Sequence, residues 1–335
     1  MKSLMQQGVM KAAIDRRPAA SDIAIIETPR PDCPPDGVVV KLAAISLDPY
    51  VGTRLRGKHM GEAAPEPLRD PLPAHGVGQI SASKTKAFRE GDWVHTTEAG
   101  WRDFAALPAE GVRNIDVTGL DPAVHLGILG MPGLTAWAAM TERARLSAGN
   151  IVLIDAAAGA VGGAAGQIAR AMGASRVVGI AGGEEKCRIV TDTYRFDACI
   201  DYKAEGWRDA LAAALPQGLD IHLENVSVEL LTLALTHMRP YGRAVLCGLA
   251  SQYHADTPAP GIPAGLIIAK RASLLGLVVY DFYNRWNAFT DFAAPLARAG
   301  TLTLAEDSVT GWAGAPALFE RMVEGRHLGK ALVRL

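Results

Sequence analysis

Along roughly the first 120 residues, apolar positions come in short runs, GVVVKL at 37–42, HGVGQI at 75–80 and DWVH at 92–95, set apart by Pro, Gly and Asp. Runs of this length between turn formers predict strands, and hence a β-rich unit shaped as a partly open barrel. Residues 55–73, rich in Pro, Arg and Glu and without a period, predict a long surface loop. After MPGLT at 131–135 the rhythm becomes strand, helix, strand. The apolar runs at 151–154, 177–180, 198–200, 220–224, 243–248 and 273–280 predict strands, and 161–172, 187–194 and 207–215 predict helices between them. Alternation of this kind implies right-handed βαβ units on a parallel sheet. Short β-like runs such as KALV at 330–333 return near the end, so 289–335 is expected to rejoin the first unit.

The turn after the first strand of the second unit reads DAAAGAVGGAAG. A strand, the small residues Gly159, Ala160, Val161 and Gly162, and then a helix form the arrangement in which a dinucleotide pyrophosphate sits on free N–H groups at a helix amino terminus. Gly162, Gly163 and Gly166 let that helix lie close to the sheet. Ala157 stands where the usual first glycine of the motif would be, and close helix–strand packing without any ligand is the competing reading. The next strand ends in IAGG at 180–183 with no acidic residue to hold an adenosine ribose, and Lys186 follows at a helix start. Lys186 is either a contact for a 2′-phosphate, favouring NADP(H), or an ordinary solvated lysine beside Glu184 and Glu185.

Composition narrows the partners. The 335 residues are 49% hydrophobic, enough for two cores, and 34 basic against 35 acidic residues leave a formal net charge of -1. That balance gives no surface suited to nucleic acid or an anionic membrane, so the expected partner is a small molecule. The beginning of the chain has no signal-peptide pattern and no stretch reaches the ~20 apolar residues of a membrane span, so a cytoplasmic location is expected. Cys33, Cys187, Cys199 and Cys247 are far apart in sequence without a CxxC, which supports buried thiols over a disulfide framework or a zinc cluster. His75, His95, His125, His222 and His254 show no ligand or triad spacing.

Taken together, SLDPY at 46–50, GMPGLTA at 130–136, AAGAVG at 157–162, VGIAGGEEKC at 178–187, DYK at 201–203, ENV at 224–226, CG at 247–248 with SQY at 251–253, and GK at 329–330 resemble the zinc-independent medium-chain dehydrogenase/reductases, in particular the leukotriene B4 dehydrogenase, prostaglandin reductase and alkenal double-bond reductase group. The resemblance implies an α/β protein, with a GroES-like catalytic domain over 1–122 completed by about 290–335 and a Rossmann domain with a doubly wound parallel sheet over 123–289. It implies a homodimer, NADPH as cofactor in the cleft between domains, and hydride transfer without zinc. Cofactor roles carry over onto Gly159, Ala160, Val161 and Gly162 at the pyrophosphate and onto Lys186 and Tyr202 at the 2′-phosphate. Asn225, Cys247, Tyr253, Leu277, Val278 and Val279 complete the cradle. Tyr253 is the implied catalytic donor, since a phenol of pKa ~10 stays protonated at neutral pH and can stabilise a developing enolate. Tyr50 is the implied substrate residue, and Tyr280, Phe282, Tyr283 and Trp286 form an aromatic cluster that walls a pocket or an interface.

Three departures touch the implied site residues. Ser227 and Val228 stand where the group carries two glycines, which predicts a differently shaped turn after Asn225. His327 stands where the group carries asparagine before Gly329 and Lys330, adding a titratable donor to the cofactor set. Val51 and Gly52 after Tyr50 replace a Met-Arg pair, so acidic substrates are disfavoured. The leading expectation is NADPH-dependent reduction of α,β-unsaturated ketones or aldehydes. A quinone reductase, and a catalytically silent NADPH-binding regulatory protein, are the alternatives.

Overall fold

A computed structural model describes residues 3–253, 255 and 257–335, so His254 lies outside the described residues. The chain divides into two units, Met1–Leu126 with Glu306–Leu335, and Gly127–Ala305.

The first unit opens with a two-stranded antiparallel ribbon, β1 (Leu4–Met10) and β2 (Ile23–Pro29). Its main sheet joins β3 (Gly37–Ser46), β4 (Gly76–Ser83), β5 (Trp93–Thr96), β6 (Phe104–Pro108) and β7 (Val112–Asn114) to two strands from the end of the chain, β14 (Glu306–Thr310) and β15 (Lys330–Arg334). The order is β14-β15-β3-β4-β5-β7, with β6 also paired to β3. Alternate residues of β3, among them Val38, Val40 and Leu42, point into a core that holds Trp101, Trp312 and Phe319. Trp101 stacks on Trp312 at 6.1 Å between centroids and meets the edge of Phe319 at 5.8 Å. The predicted loop at 55–73 has no helix or strand, yet Leu55 and Leu72 at its ends are buried and anchor it.

The second unit is a six-stranded parallel sheet made of β8 (Ile151–Ile154), β9 (Arg176–Ala181), β10 (Ala198–Asp201), β11 (Leu219–Glu224), β12 (Met238–Leu246) and β13 (Ser273–Gly276). Its order, β10-β9-β8-β11-β12-β13, is that of a doubly wound dinucleotide-binding sheet, with the switch point between β8 and β11. The strands β8 and β11 are almost wholly buried, as expected for parallel strands covered on both faces. The crossover from β8 to β9 is α3 (Ala160–Ala171), where the sequence predicts it.

Two expectations are corrected. The strand predicted at 273–280 stops at Gly276, and Val279–Arg285 is a 3₁₀ helix closed by Asp281 N–H donating to the Val278 carbonyl. In this helix Tyr280 packs on Tyr283, and Tyr283 on Trp286, at 5.6 and 5.5 Å. The second unit also runs past 289 to Ala305. The helix Trp286–Arg298 buries Phe289 against Trp137, and Gln167 on α3 exchanges hydrogen bonds with the Thr303 backbone at 2.7 and 3.0 Å. Ala305 N–H donates to the Tyr194 hydroxyl, so chain return to the first unit begins only at β14.

Candidate active site and cofactor cradle

At the end of β8, Ala156 takes φ 44° and turns the chain, and Gly159 N–H donates to its carbonyl at 2.8 Å. Gly159 is the N-cap of α3 and no side chain caps the helix, so its first-turn N–H groups face outward without a side-chain acceptor. A Cβ on Gly162 would lie 2.5 Å from the Ala156 carbonyl oxygen. Further along the helix, a Cβ on Gly163 would meet the Tyr194 ring at 2.6 Å and one on Gly166 the Phe196 ring at 1.9 Å. Close approach of neighbouring atoms thus accounts for glycine at 162, 163 and 166, and the amino terminus beside Ala160 and Val161, without a side-chain cap, is of the kind that suits an anion.

At the end of β9, Gly183 takes φ 102° and its N–H donates to Asp201 at 2.7 Å, while Asp201 also accepts from Lys203 N–H. The Tyr202 ring lies where a side chain on Gly182 would be, and Tyr202 is 48% exposed. Lys186 is half-buried. Burial lowers its pKa, the nearby Lys203 ammonium lowers it further, and Glu185 opposes both. Two ammonium groups and a phenol beyond the ends of the paired strands β9 and β10 suit a phosphate monoester. The adjacent Cys187 comes within 2.8 Å of Cys199, sulfur to sulfur, so these two thiols are neighbours although twelve residues separate them.

At the switch point, Asn225 N–H donates to Asp155 at 2.7 Å and the Asn225 carbonyl accepts from Ala250 N–H at 3.0 Å. The Asn225 Nδ2 is buried with no hydrogen-bond partner among the described residues. The following turn needs no glycine. Glu224 accepts from Val226 and Ser227 N–H at 2.6 and 2.7 Å, and Ser227, extended at φ -159°, caps the helix Val228–His237 by accepting from Leu230 N–H. Serine here is an N-cap, a role for which it is at least as well suited as glycine. Cys247 N–H donates to the Glu224 carbonyl at 2.9 Å, and burial pushes its thiol up to about 12. The Tyr253 hydroxyl lies 2.9 Å from the position of a Cβ on Gly248. Burial raises the Tyr253 pKa, Cys247 adds to this, and a backbone hydrogen bond at Leu249 opposes it, so the phenol carries its proton at neutral pH. Leu277 extends the line of β13 with its N–H on the Leu246 carbonyl, and Val278 and Val279 follow half-buried.

Tyr50 and His327 belong to the first unit. Tyr50 opens the helix Tyr50–Arg54, with its ring 5.0 Å from His59. What fixes this helix was missed in the sequence. Lys330 Nζ, buried, donates to Asp48 at 2.9 Å and to the Leu47 carbonyl at 2.8 Å, and Ser46 donates to the same carboxylate. Burial alone would raise the Asp48 pKa, but Lys330, His75 and Ser46 together lower it. Both residues stand in the motifs carrying the resemblance, yet 282 positions separate them and no spacing rule links them. His327 is half-buried three residues before Lys330.

Residues 160–295 match the family model described as zinc-binding dehydrogenase, and 6–115 match that described as the N-terminal domain of oxidoreductase. The chain is 32% identical to the NADP(+)-dependent 2-alkenal reductase of Nicotiana tabacum, over 98% of this chain and 96% of that protein. It belongs to the alkenal and prostaglandin reductase group of the medium-chain dehydrogenase/reductases. Other members of this group are similarly placed. The prostaglandin reductase 1 of Bos taurus is 32% identical over 95% of each chain. The crystal structure of CurA in complex with NADPH, from Vibrio vulnificus, superposes with a TM-score of 0.89 at 31% identity over 98% of each chain. The two units described above are the two domains of this reductase group, GroES-like and Rossmann. No helix among the described residues is long and apolar enough to cross a membrane.

Proposed function

We propose that this reductase uses NADPH to reduce the carbon–carbon double bond of α,β-unsaturated ketones or aldehydes. The observation that carries the reading is the Tyr253 phenol, held protonated against Gly248 on the loop that leaves β12, the strand next to the switch point. The cradle's chemistry fits the cofactor: N–H groups at Gly159–Gly162 for the pyrophosphate, Lys186, Lys203 and Tyr202 for the 2′-phosphate, and the unpartnered Asn225 Nδ2 as a further donor. NADPH, when bound, would supply a hydride to the alkene carbon β to the carbonyl, and the α carbon would take its proton from solvent. Tyr253 donates a hydrogen bond to the carbonyl oxygen, where negative charge accumulates, and Cys247 stays a neutral thiol. Tyr50 lines the substrate side. The intact turn at Ser227 supports this reading over that of a silent cofactor-binding regulator. The same reading makes the protein cytoplasmic and homodimeric. Its four free thiols suit a reducing compartment, and exposed Tyr241 and Ile268 offer apolar surface for a partner copy, which sedimentation would register.

The test is Tyr253→Phe, assayed with a panel of enones, alkenals and quinones. Loss of an oxyanion donor predicts a kcat lower by about 10²–10³ with NADPH affinity unchanged. An unchanged kcat removes Tyr253 from this role, and turnover of quinones alone replaces the proposed substrate class.

A further inference from the structure

Within the second unit, three ionisable side chains of no exposure converge inside the sheet. His222 and Glu224 lie two residues apart on β11 and so share one face of the strand. Parallel pairing sets His222 beside Leu153 and Leu223 beside Ile154, which brings Asp155, one residue beyond β8, level with Glu224. All three residues are fully buried. None serves the cradle through these inward atoms.

The two oxygens of each carboxylate have different surroundings. Asp155 Oδ1 accepts from Asn225 N–H, and Glu224 Oε1 accepts from Val226 and Ser227 N–H, so backbone donors fix the outer oxygens. The inner oxygens, Asp155 Oδ2 and Glu224 Oε2, and His222 Nε2 have no hydrogen-bond partner among the described residues. His222 Nε2 is aimed between them, 3.6 Å from Asp155 Oδ2 and 3.9 Å from Glu224 Oε2. Those distances exceed a hydrogen bond. They are the span of two metal–ligand bonds of about 2.0–2.2 Å meeting at one ion with an obtuse angle. Backbone donors holding the outer oxygen of a carboxylate are also how outer partners orient metal ligands.

We propose that Asp155, His222 and Glu224 bind a divalent first-row transition-metal ion inside the Rossmann sheet, at the level where β8 and β11 end. One imidazole and two carboxylates suit Zn²⁺, Fe²⁺ or Mn²⁺, and with a neutral imidazole their two negative charges balance the ion. The ion is structural. It ties the turn that starts α3 to the Asn225 turn, through Asp155 on one side and Glu224 on the other. The rival occupant is a proton shared by the two carboxyl groups, whose inner oxygens both lack a partner. A proton joins that pair and leaves His222 Nε2 unsatisfied, whereas an ion engages all three groups.

Because the site is sealed, the ion enters during folding. Tag-free protein is therefore isolated from zinc-supplemented cells, and separately refolded from denaturant with Zn²⁺ or Co²⁺. Metal content is measured by mass spectrometry after gel filtration, and the visible spectrum of the Co²⁺ form is recorded. The expected result is a single retained ion per chain and cobalt bands of a nitrogen–oxygen site. Replacement His222→Leu is expected to abolish both and to weaken Zn²⁺ binding by more than about 100-fold, the upper end of what loss of an outer partner alone costs. Should that variant not fold by circular dichroism, Asp155→Asn, which keeps the shape and an acceptor for Asn225 N–H, decides. Protein that folds and retains no ion, or variants that retain as much as the parent, overturns the proposal in favour of the shared proton. The readout is independent of Tyr253 and of turnover.

Discussion

Replacing Lys330 by Met would test the buried ion pair that anchors the Tyr50 helix. Methionine keeps much of the apolar stem and deletes the ammonium, leaving Asp48 with Ser46 as donor but no cation within hydrogen-bonding distance. Breaking a buried pair from one side costs about 3–5 kcal/mol, because a charge remains without compensation. At about 2–4 °C per kcal/mol for a unit of this size, the thermal midpoint should fall by roughly 6–20 °C. The double replacement Asp48→Asn with Lys330→Met removes both charges and should recover a large part of that loss. The loss in the single variant should also shrink in acid, where Asp48 can take up a proton. Thermal scanning at several pH values measures all three effects. A Lys330→Met midpoint within about 2–4 °C of the parent, or a double variant no better than the single one, would refute the account.

Three further outcomes are expected. Gly166→Ala would drive a Cβ into the Phe196 ring and should cost about 1–3 kcal/mol or more, with Phe196→Leu restoring stability in the double variant; a neutral single variant removes the packing argument. Lys186→Ala should raise the NADPH Kd by about 10–100-fold, in line with a charged hydrogen bond of roughly 1.5–3 kcal/mol, and leave the NADH Kd unchanged, both measured by fluorescence titration. Burial holds the His75 pKa down at about 4 against Asp48, so the folded protein keeps it neutral while the unfolded chain protonates it below 6.5. That stability is present above pH 6.5 and is lost as pH falls towards 4, roughly 3 kcal/mol in all, with His95 adding a loss of the same sign. A His75→Gln variant with the parent's pH slope would contradict it.

How much of this was legible depends on whether the signal is local. The strand–helix rhythm after residue 131 gave away the parallel sheet because each βα unit is written in consecutive residues. The glycine run was legible for the same reason. Residues 278–280 misled, since an apolar run after a strand looks like its continuation; the edge-on and tilted packing of Tyr280, Tyr283 and Trp286 goes with the chain coiling instead. The end of the second unit was placed too early because Phe289 and Thr303 are held by contacts with Trp137 and Gln167, far away in the chain. Ser227 reads in the sequence only as a replaced glycine, and its capping bond to Leu230 N–H is not foreseen there. Asp155, His222 and Glu224 did carry a local trace, polar residues in or directly after largely apolar strands, but nothing in the spacing of Asp155 to the other two shows that they meet.

The pairing of Asp48 with Lys330 also sets a timetable. The second unit is one continuous stretch, whereas the first is interrupted by it and is closed by β15. A ribosome adds about 5–20 residues per second, so the 282 positions between aspartate and lysine take roughly 15–55 s to make. Throughout that interval the Rossmann unit emerges whole and can fold, while the sheet that began first waits with the Ala44–Ser46 end of β3 lacking its β15 partner and a carboxylate without its cation. The earliest part of the chain to be made is the last to be finished, and a nascent chain stalled before residue 330 would carry a folded nucleotide domain beside an open one.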